Sequence, residues 1–153
     1  MTKPIDWRGS SLKDLQAFPD DAKHSAGYQL RKLQQGDQPD EFKPVNDLKS
    51  GHITPADGNV FADLGFVPQQ AAAMLADADA RIAKSLKLKK DAALAIAQWM
   101  QSERLTQVAA SEILDVSRPR VSDLVNEKLG RFSLDTLVTM LLRTGKSVEL
   151  VVR

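Results

Sequence analysis

The 153-residue chain has no cysteine, which excludes disulfides, cysteine-ligated zinc, iron–sulfur clusters and thiol chemistry. Histidine is nearly as scarce: His24 and His52 stand in different segments. No metal site is expected, and with no glycine-rich phosphate loop no cofactor is expected either. No apolar run approaches the roughly 20 residues that span a bilayer. The first seven residues have neither a hydrophobic segment nor a small-residue cleavage site, so a cytoplasmic chain is expected. Aromatics are 5% of the chain, so the core must come from Leu, Ala, Val and Ile, which favours helix over sandwich. Neither sign of charge dominates, with 21 basic and 20 acidic residues and a net charge of +1.

What is present is an ordinary globular mixture, 42% apolar and 27% charged. The charge balance hides an asymmetry. Residues 1–51 carry 8 basic and 8 acidic side chains, whereas residues 84–153 carry 12 and 8. The basic surplus lies in the C-terminal half, and it is small enough that any nucleic-acid role must rest on the placement of particular arginines.

Near the N-terminus Ile5 and Trp7 alternate with polar residues, as in a short strand. Ser10 or Ser11 is placed to cap a short helix with Leu12 and Leu15, ending near Phe18-Pro19. Asp20 and Asp21 open a second helix with Ala22, Ala26, Leu30 and Leu33 on one stripe, and Gly36 stops it. Residues 37–60 hold Pro39, Pro44, Pro55 and several turn formers and read as a connector. From Pro68 the pattern turns helical. One helix carries Ala71, Met74, Leu75, Ala78 and Ile82, and another runs from about Leu88 to Glu103. Between them, the run Lys84 to Lys90 reads as a solvated helix junction or as a phosphate contact. The tail Ser147–Val152 is strand-like and needs a partner, either a second subunit or an upstream segment such as Asn59-Val60-Phe61.

The informative stretch is residues 105–128. Thr106 is a good N-cap for a helix of small residues that ends at Leu114. Asp115-Val116-Ser117 makes a tight turn, with Val116 inside and Asp115 at a position that requires positive φ. Ser117 is the next N-cap, and Pro119 sits in the first turn, where its missing N–H costs little. Val121, Leu124 and Val125 then face inward, leaving Arg118, Arg120, Ser122 and Asp123 outward. This is the pattern of a helix-turn-helix. An arginine near the start of a recognition helix can offer two hydrogen bonds to guanine O6 and N7. Gln107, Asn126, Lys128 and Arg131 are placed for phosphates. The candidate DNA-binding set is therefore Thr106, Gln107, Ser117, Arg118, Arg120, Ser122, Asp123, Asn126, Lys128 and Arg131.

Residues 52–153 resemble an antitoxin of HigA type, an XRE-like helix-turn-helix protein. The resemblance is carried by Asn59-Val60-Phe61-Ala62-Asp63-Leu64-Gly65-Phe66, Leu105-Thr106-Gln107, Val116 to Leu124, and Arg131 to Leu137. It implies a homodimer that represses its own promoter at an inverted repeat and neutralises a toxin encoded beside it. Residues 3–50 resemble the opening of a HigB/RelE-type toxin, through Lys3 to Leu15, Phe18 to Ala22, Gly27 to Leu30 and Phe42-Lys43-Pro44. The rest of such a toxin, a sheet bearing its basic residues, is missing, so an in-frame fusion remnant is one explanation.

The expected architecture is mainly α: residues 1–50 a truncated strand–helix–helix fragment of weak order, 51–67 a linker, and 68–153 a bundle of about five helices with a terminal strand. The expected core is Leu94, Ile96, Trp99, Leu105, Ile113, Leu114, Val116, Val121, Leu124, Phe132, Leu134, Leu137, Val138 and Leu141. Lys13, Lys23, His24, Arg31, Lys32 and Lys43 are available for RNA cleavage, but without the sheet nothing positions a substrate, so no enzymatic role is expected. Two functions remain open: a DNA-binding repressor, and an antitoxin acting mainly by binding an intact RelE/HigB-type toxin.

Overall fold

The computed structural model describes residues 2–40, 50–149 and 151. Phe42, Lys43 and Pro44 of the toxin resemblance, and Leu150 and Val152 of the tail, lie outside the described residues. The chain is mainly helical, and it divides into two compact units, residues 1–83 and 84–153.

The first unit opens with β1 (Ile5–Arg8), α1 (Ser11–Gln16) and α2 (Asp20–Gln34), continues with β2 (Ser50–Thr54) and α3 (Val60–Asp63), and takes the first half of α4 (Pro68–Ser102). β1 and β2 pair antiparallel, Ile5 opposite Thr54 and Trp7 opposite His52, with a bulge after Trp7. Acids in the first turn of α2 and Gly36 at φ +79° just past its end follow the sequence signals. Asn59 caps α3 by accepting from the Phe61 and Ala62 amides.

Residues 51–67, expected to be a linker, are instead part of this unit. Val60, Phe61 and Leu64 are fully buried and cluster with Trp7, Phe66, Ala71 and Ala78. The physical reason is a missing side chain: Gly27 of α2 lets the Phe61 ring approach so closely that a Cβ there would lie 2.4 Å from Cε1. Residues 2–40 are likewise ordered rather than a loose fragment. The Trp7 indole donates to Thr54 Oγ1 at 2.8 Å, the Thr54 hydroxyl donates to Asp63, and His52 Nε2 lies 3.1 Å from the same carboxylate. Gln34, fully buried, donates to the Pro55 carbonyl at 2.9 Å. The stripe expected on α2 is only half-buried and Leu33 is exposed, because the helix packs through Gly27 and Gln34 instead.

Four of the residues considered for RNA cleavage are dispersed into structural contacts, and Lys13 is exposed. Arg31 is bidentate to Asp79 (2.7 and 3.1 Å), Lys32 pairs with Asp40, Lys23 pairs with Asp20 over the Phe66 ring, and His24 packs on Phe61. Lys43 lies outside the described residues.

Where two helices were expected between Pro68 and Glu103, α4 is one 35-residue helix. No proline or glycine interrupts residues 69–102, and Lys84 to Lys90 are helix formers, so the expected junction does not exist. The second unit contains the remainder of α4, α5 (Gln107–Leu114), α6 (Arg118–Val125), a 3₁₀ turn (Leu129–Arg131) and α7 (Leu134–Arg143), the expected bundle of about five helical pieces. Its core joins Ala93, Ile96, Trp99, Met100, Ala110, Leu114, Val121, Leu124, Leu129, Phe132, Leu137, Met140 and Leu141, with Leu105 and Val116 packed against it. Leu134 and Val138 are half-buried. Leu94, Ile113 and Val125, expected inside, are exposed: each lies on the outer margin of an apolar face broader than its partner helix covers. Residues 147–149 and 151 form no strand, and Val148 and Val151 are exposed. The upstream partner expected for the tail is instead the cap and first residues of the single-turn α3.

Candidate nucleic-acid interface

Thr106 begins the site. Its backbone is extended, its hydroxyl accepts from the Ala109 amide at 3.2 Å, and α5 follows. Ala110, fully buried, lets α5 lie close to the core. Asp115 ends α5 in the left-handed conformation, φ +53° and ψ +50°, as the sequence requires. A second element, unforeseen in the sequence, secures this corner. Arg143, at the end of α7, donates through Nη1 to the Leu114 carbonyl at 2.6 Å and through Nη2 to the Asp115 carboxylate at 3.0 Å. It therefore satisfies a carbonyl that the end of α5 leaves without a helical partner.

Val116 then tucks against the core and Ser117 takes the N-cap position of α6. The Ser117 carbonyl accepts from the Arg120 and Val121 amides, but its hydroxyl makes no capping bond, which corrects the role expected for it. Val121 and Leu124 are buried. Arg118, Pro119 and Arg120 are thereby turned to solvent, while Ser122 and Asp123 lie half-buried along the flank.

The candidate residues do not form one uniform surface. Four of them make a network. Asp123 accepts from Arg131 Nη1 at 2.7 Å and pairs with Lys128 Nζ at 3.4 Å. The hydrogen bond from Arg131 chiefly, and with it that from Lys128, holds the Asp123 carboxyl below its ordinary range. Arg120 donates through Nη2 to the Arg131 carbonyl at 3.3 Å, and its guanidinium lies 4.8 Å from the centre of the Phe132 ring. Glu127, left-handed at φ +55°, ends α6 and turns the chain so that Lys128 and Arg131 come back alongside Asp123. Separately, Asn126 donates to the Ser122 carbonyl at 2.8 Å and lies 3.3 Å from its hydroxyl. Among the described residues Gln107, Ser117 and Arg118 have no side-chain hydrogen bond or ion pair. The sequence marks Phe132 only as core; nothing local signals its place beneath Arg120, the two being 12 residues apart.

A left-handed turn between two short helices, the second beginning with two outward arginines, matches one known family along residues 60–153, that of a helix-turn-helix domain. The chain belongs to this helix-turn-helix family. No curated protein and no solved structure gives a match. The helix-turn-helix is a DNA-binding motif whose second helix enters the major groove, and α6 occupies that place here. The family match covers α3 to α7 and does not reach residues 3–50. Among the described residues no helix is long and apolar enough to cross a membrane.

Proposed function

We propose that this helix-turn-helix protein is a sequence-specific transcriptional repressor, a cytoplasmic homodimer that binds an inverted-repeat operator and serves as the antitoxin of a HigA-type pair. The observation that carries the reading is the start of α6. Arg118 and Arg120 face solvent behind a turn fixed by Asp115 and Arg143, where a recognition helix presents its base-reading residues. Thr106, Gln107, Ser117, Ser122 and Asn126 flank them as backbone contacts, while Lys128 and Arg131 are paired with Asp123. A two-fold operator requires a two-fold protein, and the exposed tail residues Val148 and Val151 are available to the second subunit. The reading contains no enzymatic step, since Lys23, Arg31 and Lys32 are engaged by Asp20, Asp79 and Asp40.

The test is fluorescence anisotropy on the DNA upstream of the gene, with salt varied. The expected result is a preference for that DNA over a scrambled duplex, lost in Arg118→Ala/Arg120→Ala. Each bidentate base contact contributes about 1–3 kcal/mol of discrimination. Weak, steeply salt-dependent binding indifferent to sequence overturns the reading.

One observation favours a protein partner as well. A groove of about 480 Å³ in the first unit is lined by Trp7, Leu15, Phe18, Leu30, Leu33 and Pro39, with Phe18 and Leu33 exposed. An antitoxin that works mainly by gripping an intact RelE/HigB-type toxin has an apolar surface to use there. Co-purification with such a toxin, abolished by Phe18→Asp, is the result expected of that reading; a toxin retained by Phe18→Asp refutes the use of this groove.

A further inference from the structure

The network around Asp123 divides labour among the basic residues of the recognition surface, an inference that rests on the DNA-binding reading above. Asp123 stands one turn after Arg120 on α6. Its side chain is largely covered, 15% exposed, while Arg131 and Lys128 are 69% and 58% exposed. One carboxylate oxygen accepts from Arg131 Nη1 at 2.7 Å and the other takes the Lys128 ammonium at 3.4 Å. A guanidinium N–H and an ammonium on two adjacent anionic oxygens are contacts a DNA phosphate would receive from the same two residues. Meanwhile the Arg131 main chain, anchored by that ion pair, offers its carbonyl to Arg120 Nη2, and the buried Phe132 ring supports the guanidinium face. Arg120 is thus held on one face and one edge with its remaining donors open. Arg118, without a partner among the described residues, is not held at all.

We propose that Asp123 is a positioning residue that acts as an internal substitute for phosphate. It keeps Arg131 and Lys128 off the DNA backbone and, through the Arg131 carbonyl, fixes Arg120 as the guanine reader. The arrangement gives up sequence-independent affinity for discrimination. Two cations and one carboxylate present a single net positive charge, so fewer counterions are released on binding. A side chain already ordered before binding loses less entropy when it meets a base edge.

The experiment uses the full-length chain. A duplex is selected from a randomised pool with the unmodified protein. Anisotropy then compares it with a scrambled duplex between about 50 and 200 mM salt, the range over which phosphate contacts are read. Asp123→Asn is expected to bind the scrambled duplex more tightly at low salt. One or two newly freed phosphate contacts steepen its fall across that range by about 3- to 12-fold. Its preference for the selected duplex is expected to drop by about tenfold, as for the loss of one bidentate base contact. Arg120→Lys is expected to lose the same preference with its salt dependence unchanged, and Asp123→Glu to retain both properties. An Asp123→Asn protein that behaves as the unmodified one overturns the proposal and leaves the DNA reading standing. So does one that loses affinity at a single cytosine with no change in salt dependence, since Asp123 then accepts from the base directly. If the unmodified protein draws no preferred sequence from the pool, the DNA reading itself fails, and this inference fails with it.

Discussion

Adding one methyl group to Gly27 sets two terms of opposite sign against each other. Gly27 lies inside α2, where alanine is favoured over glycine by about 1 kcal/mol. Against this, the new Cβ would stand 2.4 Å from Phe61 Cε1, 2.6 Å from Cδ1 and 3.2 Å from Leu64 Cδ1. Ordinary carbon contacts are about 3.5–4.0 Å, so the ring must retreat by roughly 1 Å. It has nowhere to go: Phe61 and Leu64 are fully buried, and the ring is flanked by His24 and Phe66 at 5.9 and 6.4 Å between centroids. Overpacking of this kind costs about 1–3 kcal/mol, and two overlaps below 3 Å place Gly27→Ala in the upper part of that range. The net expectation is destabilisation by about 1–2 kcal/mol. Denaturation followed by Trp7 fluorescence in a Trp99→Phe background reads this unit. Combining Gly27→Ala with Phe61→Leu should recover about 1 kcal/mol as coupling. An unchanged or more stable Gly27→Ala protein would show that α2 and α3 do not meet at this point.

The Asp123 carboxyl, held below its ordinary range by Arg131 first and Lys128 second, should titrate low in a carbon-13 NMR titration. A folded value below the unfolded one contributes stability that is present above the unfolded value and lost as pH falls through the folded one, so the clasp should open only in acid. Arg131→Gln should raise the titration, and no movement refutes the pairing. Arg143→Met removes a charged hydrogen bond to the Leu114 carbonyl and an ion pair to Asp115. At a partly exposed site, about 1–1.5 kcal/mol of stability should disappear, with hydrogen exchange faster in α5; unaltered exchange contradicts the capping role. Glu127→Gly relieves a left-handed residue at φ +55° and should stabilise the second unit by about 0.5–1 kcal/mol in denaturant titration, whereas a loss would mean that the Glu127 side chain contributes more than its backbone costs.

Local chemistry made the recognition corner legible. The Thr106 cap, the left-handed Asp115, Pro119 in the first turn and the inward Val121 and Leu124 all follow from what one or two residues require of their own backbone or face. The misses have a different origin. Leu94, Ile113 and Val125 are apolar at helical spacing yet exposed, because periodicity identifies a face without saying how much of it a neighbour covers. The ends of α4 and α6 are left-handed at Arg104 and Glu127, where no glycine announces them. Arg143 on the Leu114 carbonyl, Phe132 beneath Arg120 and Arg131 on Asp123 join residues 8 to 29 apart, and no local signal carries such pairs.

The same distinction decides how residues 2–40 are understood. The sequence alone predicts a strand and two helices of weak order there, with no sheet to cover Ile5, Trp7 and Leu15. Trp7 is 5% exposed, its indole is bonded to Thr54, and Ile5 and Leu15 pack on the same cluster as Phe61. β2 is the partner of β1, and α3 fills the space that Gly27 leaves open. Residues 60–83 belong both to the helix-turn-helix family match and to the core of the first unit. Their fully buried side chains, Val60, Phe61 and Leu64, are each worth about 1.5–3 kcal/mol of burial. Part of the partner surface that covers them comes from α2 and β1. The N-terminal residues complete a core that the residues of the family match begin, and the structural division falls within α4 rather than at the start of that match.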